Sequence, residues 1–290
     1  MRIERNVTRC RGPLPACRSA AIASLILLGL ALSGCVWPTG SKPRPVAVAD
    51  PPPSPSPPPV ASAPPTHDAH KLRVLFVGNS LTGANDLPGM LASLAAAAND
   101  TVTIEVGRDV VNGTSLLDHL GDGTAQTMIA TGTWDVVVLQ QGPSSLPASR
   151  TELLSSTRSF ADLIEAHGAR TALYMVWPEK ARIGVLDEVI ASYTLAAQSV
   201  SGLLIPAGLA WKFAWAEDPA FPLYSSDDFH PSPLGTYVAA LCCYGALRAR
   251  AATGLPTRFN VGGTLVEIPA AQAALAQRAA DQALGAGTAP

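Results

Sequence analysis

The 290-residue sequence carries little charge of either sign: 20 Lys and Arg, 22 Asp and Glu, and a formal net charge of −2. The basic residues of its body are scattered and make no stripe able to neutralise a row of phosphates, which argues against a nucleic-acid partner. Cysteine is equally sparse. Of five, Cys10, Cys17 and Cys35 lie in the first 35 residues, leaving only Cys242 and Cys243 in the body. Adjacent cysteines in a helical pattern point in different directions, so they read as small buried apolar groups rather than as a redox or metal pair. Motifs of the His-x-Glu or His-Glu-x-x-His kind are missing, and His119 and His167 stand apart from any ligand spacing, so neither a metal nor a cofactor is expected. The apolar run at 20–32 is too short to cross a bilayer comfortably.

That run is informative for its flanks. Arg2, Arg5, Arg9, Arg11 and Arg18 precede it, as in the positive region of a signal peptide, and Leu32-Ser33-Gly34-Cys35 follows. The tetrapeptide resembles the bacterial lipobox, which implies diacylation of Cys35 and cleavage before it; an ordinary signal peptide cut near Gly34, or a short uncleaved anchor, are the alternatives. Val36 stands where inner-membrane retention would call for Asp, which leans the expectation to the outer membrane, on its periplasmic or surface side. Residues 36–69 hold a proline-rich stretch with Pro51-Pro52-Pro53 and Pro57-Pro58-Pro59. Such composition favours polyproline II and forms no core. At about 3.1 Å per residue it is a tether reaching up to roughly 90 Å. The expected organisation is therefore 1–35 signal peptide, 36–69 tether and 70–290 folded domain.

The body alternates between two periodicities. Short apolar runs at 72–77, 101–106, 134–139, 170–176 and 203–205 read as strands, the 134–139 run Trp-Asp-Val-Val-Val-Leu most clearly. Between them lie helical stretches at 88–98, 151–167 and 185–200, with Asp86 near the first N-cap and Gly168 as the C-cap of the second. Further helices are expected at 234–250 and 269–284. Strands separated by helices imply right-handed βαβ units wound on both faces of one mainly parallel sheet, and ligands in such sheets collect at the carboxyl ends of the strands.

Two loops at that edge carry chemistry. The first strand runs into Gly78-Asn79-Ser80, where a serine at a strand end can present its hydroxyl beside free backbone N–H groups. Just before an apolar helix, Asp227-Asp228-Phe229-His230 sets a carboxylate three residues before a histidine, close enough for a bond that orients the imidazole. Together these fragments resemble blocks I and V of the SGNH/GDSL hydrolases. The resemblance implies a flavodoxin-like three-layer α/β/α sandwich with a mainly parallel five-stranded sheet, and ester hydrolysis through an acyl-enzyme. It makes Ser80 the nucleophile, His230 the base and then acid, and Asp227 the orienting carboxylate, with Asp228 its neighbouring competitor.

Val111-Asn112-Gly113-Thr114-Ser115 looks like block II, so the resemblance gives the oxyanion hole to the N–H groups of Ser80 and Gly113. Block III normally adds an Asn side chain; here the text is Gln140-Gln141-Gly142-Pro143-Ser144-Ser145, with Ser144 where that Asn would stand. The amide of Gln141, or of Gln140, is the expected substitute. Asn79 and Trp177 are candidate substrate-binding residues. Trp211, Phe213, Trp215, Phe221 and Tyr224 are either pocket walls or ordinary packing. The substrate expected is an ester of a glycan or small molecule, an O-acyl group such as O-acetyl. The alternatives are a lipase, lysophospholipase or thioesterase with the same triad, or a binding lipoprotein without catalysis.

Overall fold

The computed structural model describes residues 68–287. The signal-peptide, lipobox and tether expectations for 1–67, Cys35 included, lie outside the described residues.

Within them, β1 (Lys71–Gly78) is central because its middle is apolar on both faces: Val74, Leu75, Phe76 and Val77 are all fully buried. A single turn α1 (Ser80–Gly83) and helix α2 (Leu87–Ala97) follow, then β2 (Thr103–Val110). Two short helices, α3 (Leu116–Asp122) and α4 (Thr124–Thr131), lead to β3 (Val136–Leu139), four fully covered apolar residues. Next come α5 (Pro147–Ala166), β4 (Arg170–Tyr174), α6 (Leu186–Ser199), β5 (Leu203–Ile205) and α7 (Ala207–Glu217). The chain ends in α8 (Pro233–Arg248), the strands β6 (Arg258–Val261) and β7 (Thr264–Glu267), and α9 (Ala270–Gly287).

The sheet order is β2-β1-β3-β4-β5 and every pairing in it is parallel. Helices α2, α7, α8 and α9 pack among themselves, and α3, α4, α5 and α6 do likewise. The result is the three-layer α/β/α sandwich expected from the sequence. Because β2 and β3 flank β1 on opposite sides, the strand order reverses at β1, which opens a crevice at its carboxyl end. Helix α8 is buried nearly all round, including Cys242 and Cys243, as its unbroken apolar text requires.

Several boundaries differ from the sequence expectation. β3 starts at Val136 because the Trp134 indole turns aside to donate to the Met128 carbonyl at 2.8 Å. Helix α5 begins at Pro147, a residue suited to a first helical turn. Helices α3, α4 and α7 and the β6–β7 hairpin have no counterpart in the expected element list. The hairpin turns on Gly262 and Gly263, both at positive φ (55° and 89°), a conformation that glycine adopts without strain.

Candidate active site

β1 delivers its last residue, Gly78, to the crevice, and the chain turns at once into α1. Asn79 caps that turn, its Oδ1 accepting from the Leu81 N–H at 3.1 Å. Gly78 is needed by space: a Cβ there would lie 2.5 Å from Gln140 Oε1 and 2.7 Å from Thr82 Oγ1. Ser80, half-buried, follows as the first residue of α1.

Across the crevice, the loop before α8 brings His230 to Ser80. Its Nε2 lies 2.9 Å from Ser80 Oγ, and its Nδ1 lies 2.6 Å from Asp227 Oδ2. The second carboxylate oxygen, Oδ1, accepts from the Ser225 hydroxyl at 2.6 Å and from the N–H groups of Phe229 and His230 at 3.1 and 2.9 Å. The Ser225 hydroxyl foremost, then the His230 ring and the Phe229 N–H, hold the Asp227 carboxyl well below the usual carboxylate range. Asp228 turns away at a positive φ of 56° to pair with Lys180 at 2.9 Å. The structure thus brings Ser80, His230 and Asp227 into one chain of contacts and leaves Asp228 out of it.

On the block II side, Gly113 sits at φ 78°, and a Cβ added there would meet nothing within 4 Å. Among the described residues, neither its N–H nor that of Ser80 has a hydrogen-bond partner. Two clefts meet at Ser80. One, about 440 Å³, is walled by Ala84, Asp86, Pro88, Arg108, Asn112 and His230. The other, about 420 Å³, runs past Asn79, Gly113, Ser144, Ser145, Arg182 and Phe229.

Four expected contributors are engaged otherwise. The Gln140 side chain is fully buried, its Nε2 donating to Asn79 Oδ1 (2.9 Å) and the Gln141 carbonyl (2.6 Å). Its Oε1 accepts from Asn79 N–H (2.9 Å) and the Thr82 hydroxyl (2.7 Å), so Gln140 braces the serine turn rather than facing an oxyanion. Gln141 Nε2 donates to Ser144 Oγ and to the Ser149 carbonyl at 2.9 and 3.3 Å, which leaves it no hydrogen for a ligand. Asn79 is 7% exposed, and its Nδ2 donates to the Thr114 carbonyl at 2.9 Å, joining blocks I and II. Trp177 is fully buried in the core and lines neither of the two clefts at Ser80. Its ring stacks on Trp211 at 3.4 Å, and its indole donates to the Phe229 carbonyl at 3.2 Å, steadying the loop of His230. Of the aromatic group, Trp215, Phe221 and Tyr224 line a separate cleft of about 630 Å³ whose walls do not include Ser80.

His119, set apart from any ligand spacing in the sequence, has a structural place in the site. It is buried, with Nδ1 2.9 Å from Asp109 Oδ2 and Nε2 3.0 Å from both the Gly78 carbonyl and Thr114 Oγ1. This side chain ties the end of β1 to block II. No motif announces it, because its partners come from three separate segments.

No protein-family model and no curated protein matches the chain. Solved structures do. A candidate SGNH hydrolase from Slackia heliotrinireducens is 28% identical, over 61% of this chain and 99% of its own, with a TM-score of 0.53. The fold is that of the SGNH hydrolases. A DUF4886 family protein from Bacteroides uniformis is also similar in fold to this chain, at 20% identity and a TM-score of 0.60, covering 74% of this chain and 95% of its own. So is a variant of an acetyl xylan esterase from Geobacillus stearothermophilus, at 16% identity and a TM-score of 0.50, over 61% and 94% of the two chains.

Proposed function

We propose that the chain is a serine esterase that removes short O-acyl groups, acetyl foremost, from envelope or environmental glycans. The observation that carries this reading is the unbroken sequence of contacts from Ser80 Oγ through the His230 ring to Asp227. A hydroxyl is a weak nucleophile until a base takes its proton, and a ring nitrogen at 2.9 Å is within reach to do so.

As Ser80 Oγ attacks the ester carbonyl, its proton passes to His230 Nε2. Negative charge gathers on the carbonyl oxygen and is met by the N–H groups of Ser80 and Gly113. The tetrahedral intermediate collapses, His230 gives its proton to the departing alkoxide, and the alcohol leaves. Water then enters, loses a proton to Nε2, attacks the acyl-serine carbonyl and releases the acid, restoring the Ser80 hydroxyl. Throughout, Asp227 accepts from Nδ1–H, fixing the ring and stabilising its positive charge.

The lining of the two clefts supports the substrate class. Serine, asparagine and charged side chains stand among the residues that line both clefts beside Ser80, and these can bond the hydroxyls of a sugar leaving group. A lipid on Cys35 and the proline-rich tether would hold the enzyme near such polymers in the envelope. Accumulation of precursor under globomycin is the expected sign of that anchor, and its absence would sink it.

The central test is labelling of the full chain by a fluorophosphonate, with Ser80→Ala as control. Labelling of wild type alone is expected, and an unlabelled wild type would leave a non-catalytic binding protein. In a p-nitrophenyl ester series, kcat/KM is expected to be highest for acetate. A rise with acyl length would instead favour the lipase or thioesterase reading.

A further inference from the structure

The geometry points to Asn85 as a positioning residue for His230: one side chain that sets the distance between the nucleophile's segment and the base's loop. The inference rests on the serine-esterase reading. Asn85 lies five residues after Ser80, and its amide Nδ2 donates to the Pro231 carbonyl at 2.9 Å and to Thr236 Oγ1 at 2.8 Å, so both hydrogens are engaged. Pro231 is joined directly to His230, and Thr236 lies in the first turn of α8.

The backbone there is held in an unfavourable shape. Asn85 (φ 53°, ψ 21°) and Asp86 (φ 53°, ψ 61°) are consecutive non-glycine residues in the left-handed region, a conformation that residues with a Cβ adopt at a cost and that persists where surrounding bonds enforce it. Asp86 is fixed independently, by the Gly89 N–H at 3.1 Å and by Arg108 at 2.6 Å. Asn85 is fixed by the loop it grips.

The loop's other bonds do not do the same job. Ser225 N–H to the His230 carbonyl at 2.8 Å and the Asp227 contacts shape the loop, and the Trp177 indole to the Phe229 carbonyl (3.2 Å) and Lys180 N–H to the Asp228 carbonyl (2.9 Å) tie it to the segment after β4, but none of these joins it to the segment of Ser80. The Nε2 to Oγ contact must break and re-form in each turnover, so it cannot serve as the permanent tie. Asn85 can, because its bonds touch neither reacting atom.

Two variants of the full chain separate this role from folding. Asn85→Gly removes the amide and also relieves the left-handed strain, while Asn85→Asp keeps the size and replaces the donor by an acceptor. With p-nitrophenyl acetate and sites counted by saturating fluorophosphonate, kcat per titrated site is expected to fall about ten- to a hundredfold in both, with KM within about twofold, the scale expected of a small misplacement of a catalytic group. A merely structural residue would lower the number of sites or the melting temperature and leave kcat per site untouched; that result, or a kcat per site within about twofold of wild type, overturns the inference. Should Asn85→Gly not fold, Asn85→Asp decides. If wild type is not labelled, the esterase reading fails and takes the inference with it; labelled wild type with unaffected variants removes the inference alone.

Discussion

At Asp227 a hydroxyl outweighs the histidine it orients: the Ser225 bond contributes most to holding that carboxyl low, ahead of the His230 ring. A carboxylate whose folded value is depressed contributes above its unfolded value of 3.8 and loses that contribution as the pH falls toward the folded one. Wild-type Asp227 therefore stays charged through the weakly acidic range, and the acid fall of kcat/KM should take up one proton. Removing the hydroxyl in Ser225→Ala raises the carboxyl toward 3.8, so a second proton should steepen the acid end of the kcat/KM profile at a higher pH than in wild type. An acid limb identical to wild type would show that Ser225 does not tune the carboxylate. Gln140 behaves differently. Gln140→Ala leaves the buried Asn79 N–H without its acceptor, a loss on the order of 1–3 kcal/mol. It should lower both melting temperature and kcat, whereas loss of a simple oxyanion donor would lower kcat alone. Trp177→Ala is expected to cost about 3–5 kcal/mol in urea unfolding, since it empties a stacked pair in the core. A change in KM with unaltered stability would return Trp177 to the substrate pocket.

Elements were legible where one periodicity dominated. β1 and β3 are apolar on both faces, and α5, α6 and α8 are long, so their text admits few readings, though the start of α5 lies four residues before the expected one. Helix α7 was hidden by its own content: Trp211 and Trp215, four apart, are helical spacing, yet as aromatics they suggest a pocket. The β6–β7 hairpin did have a signal in Gly262-Gly263, though its strands are only four residues each. The site shows the same division. Ser80, Asp227 and His230 sit in motifs, whereas the engagements of Gln140, His119 and Asn85 depend on partners from distant segments that spacing does not encode. One such long-range tie secures α8. Asp100, after α2, takes two bonds from Arg248 at 2.9 Å and one from Tyr244 at 2.8 Å. The Arg248 bonds, opposed by burial and aided by Tyr244, hold its carboxyl well below the usual range. Its stabilising effect is thus complete above 3.8 and disappears as acid approaches the lower folded value. Asp100→Asn should cost about 2 kcal/mol at neutral pH. The gap from wild type should close in strong acid; a gap independent of pH would mean that packing, not charge, is what Asp100 provides.

For the whole molecule, the strand order places every chemical group of the proposed mechanism at one edge, on loops following β1 and β2 and on the loop before α8. The body that supports this edge is closed by its last helix. The core cluster extends from Val74 on β1 to Ala283 on α9, and α9 covers α7 and α8 with Ala273, Ala276, Ala279, Ala280 and Ala283. Removing residues 270–290 would uncover that face and take away the Gln277 amide, leaving the Leu255 carbonyl (bonded at 2.8 Å) and Tyr237 Oη (at 3.0 Å) without its hydrogens. Such a truncation should yield an aggregating chain without a cooperative unfolding transition. A chain beginning at Asp68 keeps every described member of this cluster, so it should unfold at the same temperature as the full chain and hydrolyse a soluble ester with the same kcat/KM. The difference should appear only on membranes, where the full chain co-sediments with vesicles and the shortened one does not. A lower melting temperature in the shortened chain would mean that the proline-rich segment packs on the domain and is more than a tether.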